Sequence, residues 1–330
     1  MSQSPLEPVG PELMSDESWP VTCPLHDGSP EAGPQASSVN QPLTILRGAS
    51  DPRVKGLVCP AGHRFDAAKQ GYVNLLVGRG SSVTPDSPAM IMARERVQSA
   101  GVFSVLTDAL DQLAELWAPM RHPGGVEIML DCGAGTGHHL QSLLDARPQA
   151  RAVALDLSPA GLKRAARHPR TLALAWDLWR PLPVADGTVE LLLDIFAPRN
   201  VDEYFRVLLP GAPAIVVTPR PAHLRELSGL GLLGMQPNKL ADLRTQMHRR
   251  FLEPVEHRVV TAQVPVSGDS ARDLVMMGPA GHHREADEVT ARITEEGVDR
   301  VTVDLDVTVW RRPAGGRGSA HECDRGDGNP

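Results

Sequence analysis

The run Asp131-Cys132-Gly133-Ala134-Gly135-Thr136-Gly137 constrains this chain more than any other feature. It follows a strand-like stretch, 126–131, and leads directly into a helix-like stretch, 138–147. Three glycines at alternate positions let a backbone turn sharply and approach a ligand without side-chain obstruction. The spacing is neither the G-x-G-x-x-G of dinucleotide folds nor a phosphate loop with its lysine. Asp131 opens the loop, and Asp156 ends a second predicted strand, where a carboxylate meets the hydroxyls of a ribose. Asp177 follows a third, where an adenine amino group fits. Taken alone, the loop also suits a tight strand-to-helix turn in some other α/β protein. Cys132 reads as a small buried residue, since no His/Asp set accompanies it.

The loop sits inside a β-α-β-α rhythm. Strands are expected at 126–131, 151–156, 171–176, 189–196 and 212–218, with helices near 138–147, 159–167 and 200–209. Such alternation predicts an α/β fold with a mostly parallel sheet and helices on both faces. Val102, Val105, Ala109, Leu113 and Leu116 recur every three or four residues, predicting an amphipathic helix that ends near Pro119. Residues 221–250 look mostly helical. Strict alternation of Val301, Val303, Leu305, Val307 and Val309 predicts a late strand with one buried face. No stretch is long and apolar enough for a membrane helix, and the chain does not open on a secretory signal. Four scattered cysteines form no disulfide framework, so a reducing cytoplasm is expected.

The net charge of -7 argues at first against a nucleic-acid partner. Its distribution argues otherwise. Residues 1–42 hold six acids, eight prolines and no Lys or Arg, and residues 1–20 read as a disordered acidic tail. Residues 43–96 carry eight basic residues against four acids, and 220–258 carry seven against four. An ordinary solvated surface would also account for these two stretches. Residues 312–330 read as a second disordered tail.

Residues 21–80 are short-segmented and too poor in apolar runs to build a core alone. They contain Cys23-Pro24-Leu25-His26 and Cys59-Pro60-Ala61-Gly62-His63. Two such knuckles, each beside Pro or Gly, supply four ligands for tetrahedral zinc, which would hold a core-poor segment together. The competing reading is two surface histidines and two small apolar cysteines.

Two resemblances sharpen these readings. Strand, D-x-G-x-G-x-G, helix, then strand ending in Asp resembles the first motif of class I S-adenosylmethionine-dependent methyltransferases. The chain is also similar, over about residues 21–310, to the 23S ribosomal RNA guanine-N1 methyltransferases (the RlmA family). The residues that carry this are Cys23-Pro24-Leu25-His26, Val58-Cys59 through Asp66, and Ala68-Lys69-Gln70-Gly71-Tyr72-Val73-Asn74-Leu75-Leu76. Further matches are Met90–Arg94, Ala100–Phe103, Ile195–Pro198, Thr218–Leu227 and Met277–Pro279. Two departures stand out: His26 replaces a family cysteine, and about twenty extra residues separate the ligand pairs.

The resemblance implies a zinc-binding RNA-recognition domain at 21–80 and a methyltransferase domain at 81–311. It implies methyl transfer from S-adenosylmethionine to N1 of a guanine in a hairpin loop of 23S rRNA, with macrolide resistance in some relatives. Structural zinc would be held by Cys23, His26, Cys59 and His63. Cofactor contacts would come from Phe103, Asp131, Gly133, Gly135, Thr136, Gly137, Asp156, Leu157, Asp177 and His223. Phe103 reads equally as a helix core residue, and His223 as a polar helix start. Asp194 is the candidate base for the N1 proton, or else a strand-end residue holding a backbone amide. Arg64, Lys69, Arg79, Arg94 and Arg96 would contact phosphates, and Tyr72 would stack on a base or pack the zinc module. The expected partner is 23S rRNA, no membrane is expected, and a homodimer stays open. Two other functions fit parts of the sequence: methylation of a small-molecule antibiotic intermediate, and a non-catalytic zinc RNA-binding protein.

Overall fold

The computed structural model describes residues 13–15, 19–26, 41–48, 51–78, 80–119, 126–234 and 239–314. The amino-terminal module is a four-stranded antiparallel sheet in the order β1 (Leu13–Ser15), β2 (Thr44–Gly48), β3 (Asp51–Val58) and β4 (Arg64–Asp66). β1 lies inside the stretch expected to be a disordered tail. It pairs with β2 from Leu13 opposite Gly48 to Ser15 opposite Leu46. A short β5 (Val73–Asn74) follows. It was expected in the zinc domain, yet it pairs in parallel with a strand of the larger sheet and forms its edge.

Two helices, α1 (Pro88–Ser99) and α2 (Ser104–Trp117), lead into the large domain. Ser87 caps α1 by accepting the Met90 N–H, and Pro88 occupies the first turn, where its missing N–H costs nothing. α2 buries Leu106, Leu110, Leu113 and Ala114, whereas Leu116 of the predicted stripe is 56% exposed. Then come β6 (Glu127–Cys132), α3 (His138–Ala146), β7 (Ala150–Asp156), α4 (Pro159–Ala165) and β8 (Thr171–Ala175). They are followed by β9 (Leu191–Ile195), α5 (Val201–Val207) and β10 (Pro213–Pro219). After these, α6 (Arg225–Gly229), α7 (Lys239–Met247), β11 (Glu256–Pro265), α8 (Gly268–Met276), α9 (Ala286–Glu295) and β12 (Arg300–Arg311) complete the domain.

The large sheet runs β11-β12-β10-β9-β6-β7-β8-β5. All pairings from β10 to β5 are parallel, while β12 and β11 are antiparallel additions. The chain leaves β6 toward β7 and β8, then crosses back to β9 and β10. The crevice at the carboxyl ends of β6 and β9 is therefore the switch point where such sheets bind ligands. The predicted strands match the observed ones to within two residues at either end. One expectation fails: β12 is buried on both faces, because β10 and β11 flank it and helices cover the sheet. Its acids survive burial because Asp304 accepts from Thr261, and Asp306 pairs with His257 and Arg220. Arg312 is also tied in, its backbone N–H donating to the Ala212 carbonyl. Among the described residues no helix is long and apolar enough to cross a membrane.

Candidate active site and metal centre

The metal ligands meet as the spacing predicts. The donor atoms of Cys23, His26, Cys59 and His63 all lie within 4.8 Å of one another. Cys59 Sγ is 3.6 Å from His26 Nε2, and His63 Nδ1 is 3.5 Å from both Cys23 Sγ and Cys59 Sγ. A tetrahedron with Zn–S near 2.3 Å and Zn–N near 2.05 Å has a sulfur-to-nitrogen edge of about 3.6 Å. The donor set therefore fits zinc in both chemistry and size. A 3-10 turn at Pro24–His26 and the Cys59 to His63 turn present the two pairs. In the second turn Gly62, at φ 88°, donates its N–H to the Cys59 carbonyl.

The glycine loop connects β6 to α3 with all three glycines in the left-handed region, at φ 82°, 54° and 75°. A Cβ on Gly133 would lie 2.4 Å from the Ala197 Cβ, so loop and β9 end are packed too closely for any side chain. Asp156 holds the loop from the next strand. Its Oδ2 accepts the Gly135 N–H at 2.8 Å and its Oδ1 accepts the Ser158 N–H at 2.6 Å. Each carboxylate oxygen keeps a further lone pair, as a ribose would need. Asp177 accepts from the Ser81 hydroxyl at 2.7 Å and the Trp179 N–H at 3.0 Å. Thr136 is buried and donates to Gln98, and Leu157 is half-buried beside Asp156. Asp131 is buried beneath the loop, where burial and the neighbouring Asp156 and Asp194 push its pKa up to about 8.

At the β6/β9 crevice three rings gather. Phe196 and His223 are stacked with centroids 6.0 Å apart and 23° between planes, and Phe103 lies 6.5 Å and 6.1 Å from them. Phe103 and His223 are two of the candidate cofactor residues; Phe196 carries no such expectation from the sequence. Among the described residues, the non-glycine residues at positive φ are Phe196 and Leu224, at 58° and 53°. One belongs to this trio and the other adjoins it. Such backbone costs about 1–3 kcal/mol and concentrates at functional sites. Phe196 remains 46% exposed. No periodicity in the sequence marks a strained aromatic residue. His223 Nδ1 accepts the Asp304 N–H at 3.3 Å, and burial pushes its pKa down to about 4, so the ring is neutral at physiological pH with its proton on Nε2.

Asp194 lies at the end of β9 with no exposure to solvent. The Tyr204 hydroxyl is 2.8 Å from its Oδ2, and the Ala197 N–H donates to its Oδ1 at 3.3 Å. Burial pushes its pKa up to about 7. These contacts hold the turn that carries Phe196.

The expected phosphate contacts divide. Arg94 pairs with Asp86 at 2.6 Å, donates to the Met277 carbonyl and braces Gly135, 3.0 Å from where a Cβ would sit there. Arg96 forms a bidentate pair with Asp273 at 2.5 and 2.8 Å. Both brace the large domain through these contacts, and Arg96 keeps over half of its side chain exposed. Their partners Asp273 and Met277 lie far away in sequence and only folding reveals them. Arg64 is exposed and pairs with Asp66, and Lys69 is exposed. Tyr72 packs against the large domain's core. Arg79 lies outside the described residues.

Comparison with known proteins gives the family. Residues 51–78 match the amino-terminal zinc ribbon of the RlmA family. The chain is 44% identical over 256 residues to "Putative 23S rRNA (guanine-N(1)-)-methyltransferase" of Micromonospora griseorubida, covering 74% of this chain and 85% of that protein. It is 38% identical over 258 residues to "23S rRNA (guanine(748)-N(1))-methyltransferase" of Streptomyces fradiae, covering 77% and 90%. A Bacillus subtilis relative, YxjB, is 29% identical over 265 residues. Identity at this level across most of each chain leaves one conclusion: the chain belongs to the 23S rRNA guanine-N1 methyltransferase family, whose members couple a zinc ribbon to an S-adenosylmethionine-dependent methyltransferase domain.

Proposed function

We propose that this protein methylates N1 of a guanine in a 23S rRNA hairpin loop, with the base presented against Phe196. The observation that carries this reading is the exposed, strained Phe196 stacked on His223 at the β6/β9 crevice, beside the glycine loop. The bound S-adenosylmethionine supplies an activated methyl group. The protein's task is to align the acceptor nitrogen and exclude water. Gly133, Gly135 and Gly137 admit the cofactor, and Asp156 offers its remaining lone pairs to the ribose.

N1 lies on the Watson–Crick edge, so the base must be unpaired to react. Phe196 offers an apolar face for the extruded purine. N1 releases its proton to bulk solvent before the site closes, which leaves negative charge shared between N1 and O6. His223 Nε2–H is a neutral donor suited to that oxygen, a stabilisation that counts most in a dry site. Asp194 acts as a positioning residue that holds the turn carrying Phe196. The zinc module holds the RNA.

Primer extension on 23S rRNA treated with enzyme and S-adenosylmethionine tests the reading. A new stop at a single guanine is expected, reduced at least about tenfold in rate with Phe196→Ala while S-adenosylmethionine binding persists. No stop with the native protein, or methylation of low-molecular-weight acceptors alone, would overturn it.

A further inference from the structure

Two tryptophans close together after β8 meet opposite fates. Trp176 is 4% exposed, and its Nε1–H donates to the Pro181 carbonyl at 3.1 Å. Trp179 is 62% exposed. Among the described residues its ring stacks on no other ring or guanidinium, and its Nε1–H has no hydrogen-bond partner. The loop that carries it is nonetheless held firmly. Asp177 Oδ1 accepts the Trp179 N–H at 3.0 Å. Asn200 donates to the carbonyls on either side of Trp179, those of Leu178 at 2.9 Å and Arg180 at 3.4 Å. The Arg180 guanidinium in turn donates to the carbonyls of Val77 and Gly80.

An exposed apolar side chain standing alone needs no explanation. The place of this ring sets it apart. Leu178 Cδ1 comes within 3.9 Å of the point where a Gly133 Cβ would sit, and Ala197 Cβ within 2.4 Å of the same point. Leu178 precedes Trp179, and Ala197 follows Phe196. The two exposed rings therefore stand on turns that meet over the glycine loop, and Asn200 ties those turns together a second time. β8 and β9, which lead into them, lie three places apart in the sheet, about 14 Å at the usual strand spacing. The rings do not stack on each other, so each keeps a face for a separate base. A hairpin loop that gives up one guanine leaves its neighbours unstacked as well, and an indole face serves any of them. Because the backbone beneath Trp179 is already fixed, little order remains to be lost on binding.

We propose that Trp179 is a second base platform, on which another unpaired base of the RNA loop stacks while the methylated guanine lies against Phe196. The choice of RNA rests on the function proposed above; the presentation of the indole rests on the loop geometry alone. Every base has a π-face, so the platform does not select base identity. It adds affinity and fixes the register of the loop, and with it which guanine reaches the methyl group.

The test uses the full-length, zinc-loaded protein and its Trp179→Ala and Trp179→Phe variants. Fluorescence anisotropy gives their affinities for the 23S rRNA stem-loop that the native protein binds most tightly, and for copies each carrying one abasic nucleotide in the loop. Trp179→Ala is expected to bind the intact stem-loop about tenfold more weakly, and Trp179→Phe to recover most of the loss. One abasic position other than the methylated guanine should cost the native protein about tenfold and the alanine variant less than about twofold. S-adenosylmethionine affinity, zinc content and melting temperature should match, since the clamped backbone is untouched. Equal affinities for the intact stem-loop would overturn the proposal. So would equal losses by both proteins at every abasic position, which means that no base meets the ring, or a parallel loss of S-adenosylmethionine binding, which puts the indole on the cofactor. Binding is read independently of methylation. A native protein that shows the coupled loss but methylates no RNA would sink the proposed function and leave the platform standing. Methylation with the same kcat/KM by the native protein and Trp179→Ala would do the reverse.

Discussion

The amino-terminal module and the large sheet solve the same stability problem by different means. The module has strands of three, five, eight and three residues, too short to stand without help. Its loops are pinned where two cysteines and two histidines converge. The large domain uses parallel strands buried on both faces, with Leu130, Leu155, Leu174 and Leu192 fully out of solvent. The regions are nonetheless not separate bodies. Cys23, Ile45 and Leu57 share one apolar cluster with Leu130, Trp176 and Trp310. The module thus puts its few large apolar side chains into the seam and leaves its own interior to the metal. A segment can lack a core and still be ordered if one face leans on a neighbour and a metal closes the other.

The largest effect expected from breaking this comparison follows removal of zinc. Cys59→Ser, or a strong chelator, should abolish stoichiometric zinc and lower stability by about 4 kcal/mol or more, visible as a drop in melting temperature. S-adenosylmethionine binding should stay within about threefold. Parallel loss of cofactor binding would mean that the shared seam makes one cooperative unit, and the division drawn above would fail.

The converse perturbation is Gly133→Ala. It forces a Cβ to within 2.4 Å of Ala197 at φ 82°. A cost of roughly 3 kcal/mol and at least about tenfold weaker S-adenosylmethionine binding are expected. Zinc content should not change. Calorimetry and metal analysis on one sample check both halves.

The smallest effect belongs to Asp194 and sharpens its role. Burial raises its folded pKa to about 7, against about 3.9 when unfolded. Across that window the folded state holds a proton that the unfolded chain has released. The contribution of Asp194 to stability therefore falls as pH rises from about 4 to about 7 and levels off above. Asp194→Asn should make the fall shallower, on the order of 2 kcal/mol less between pH 5 and 7 by chemical denaturation, and leave the part that Asp131 contributes. If Asp194 were instead the base for N1, the substitution would abolish the acidic limb of the pH–rate profile. A lowered rate with an unshifted profile is expected.

Much of this was legible in the residues. The β-α alternation, the glycine loop and the ligand pairs are local patterns: period, spacing and residue type determine them without knowledge of distant partners. Val301 through Val309 showed a strand by alternation. The polar positions between them, Thr302, Asp304, Asp306 and Thr308, suggested an open face. They are satisfied in burial by neighbouring elements: Arg220, Thr261 and His257 reach Asp304 and Asp306, Glu226 reaches Thr302, and the Thr308 hydroxyl donates to the Val216 carbonyl. Strand β11 escaped notice because its exposed and half-buried residues carry little apolar signal.

By itself, the sequence determined the kind of protein: an α/β methyltransferase fold with a Cys/His metal knuckle, each encoded within a few adjacent residues. Only tertiary structure decided which charges are committed. Arg96 meets Asp273 across 177 positions, and Arg147 meets Glu127 between α3 and β6. It also turned Asp194 inward and left Phe196 outward, two residues apart on one strand end. The physical reason is range. Backbone preferences and hydrophobic periods act over a few residues, whereas charge pairing, desolvation and ring stacking depend on distances that exist only once the chain has closed on itself.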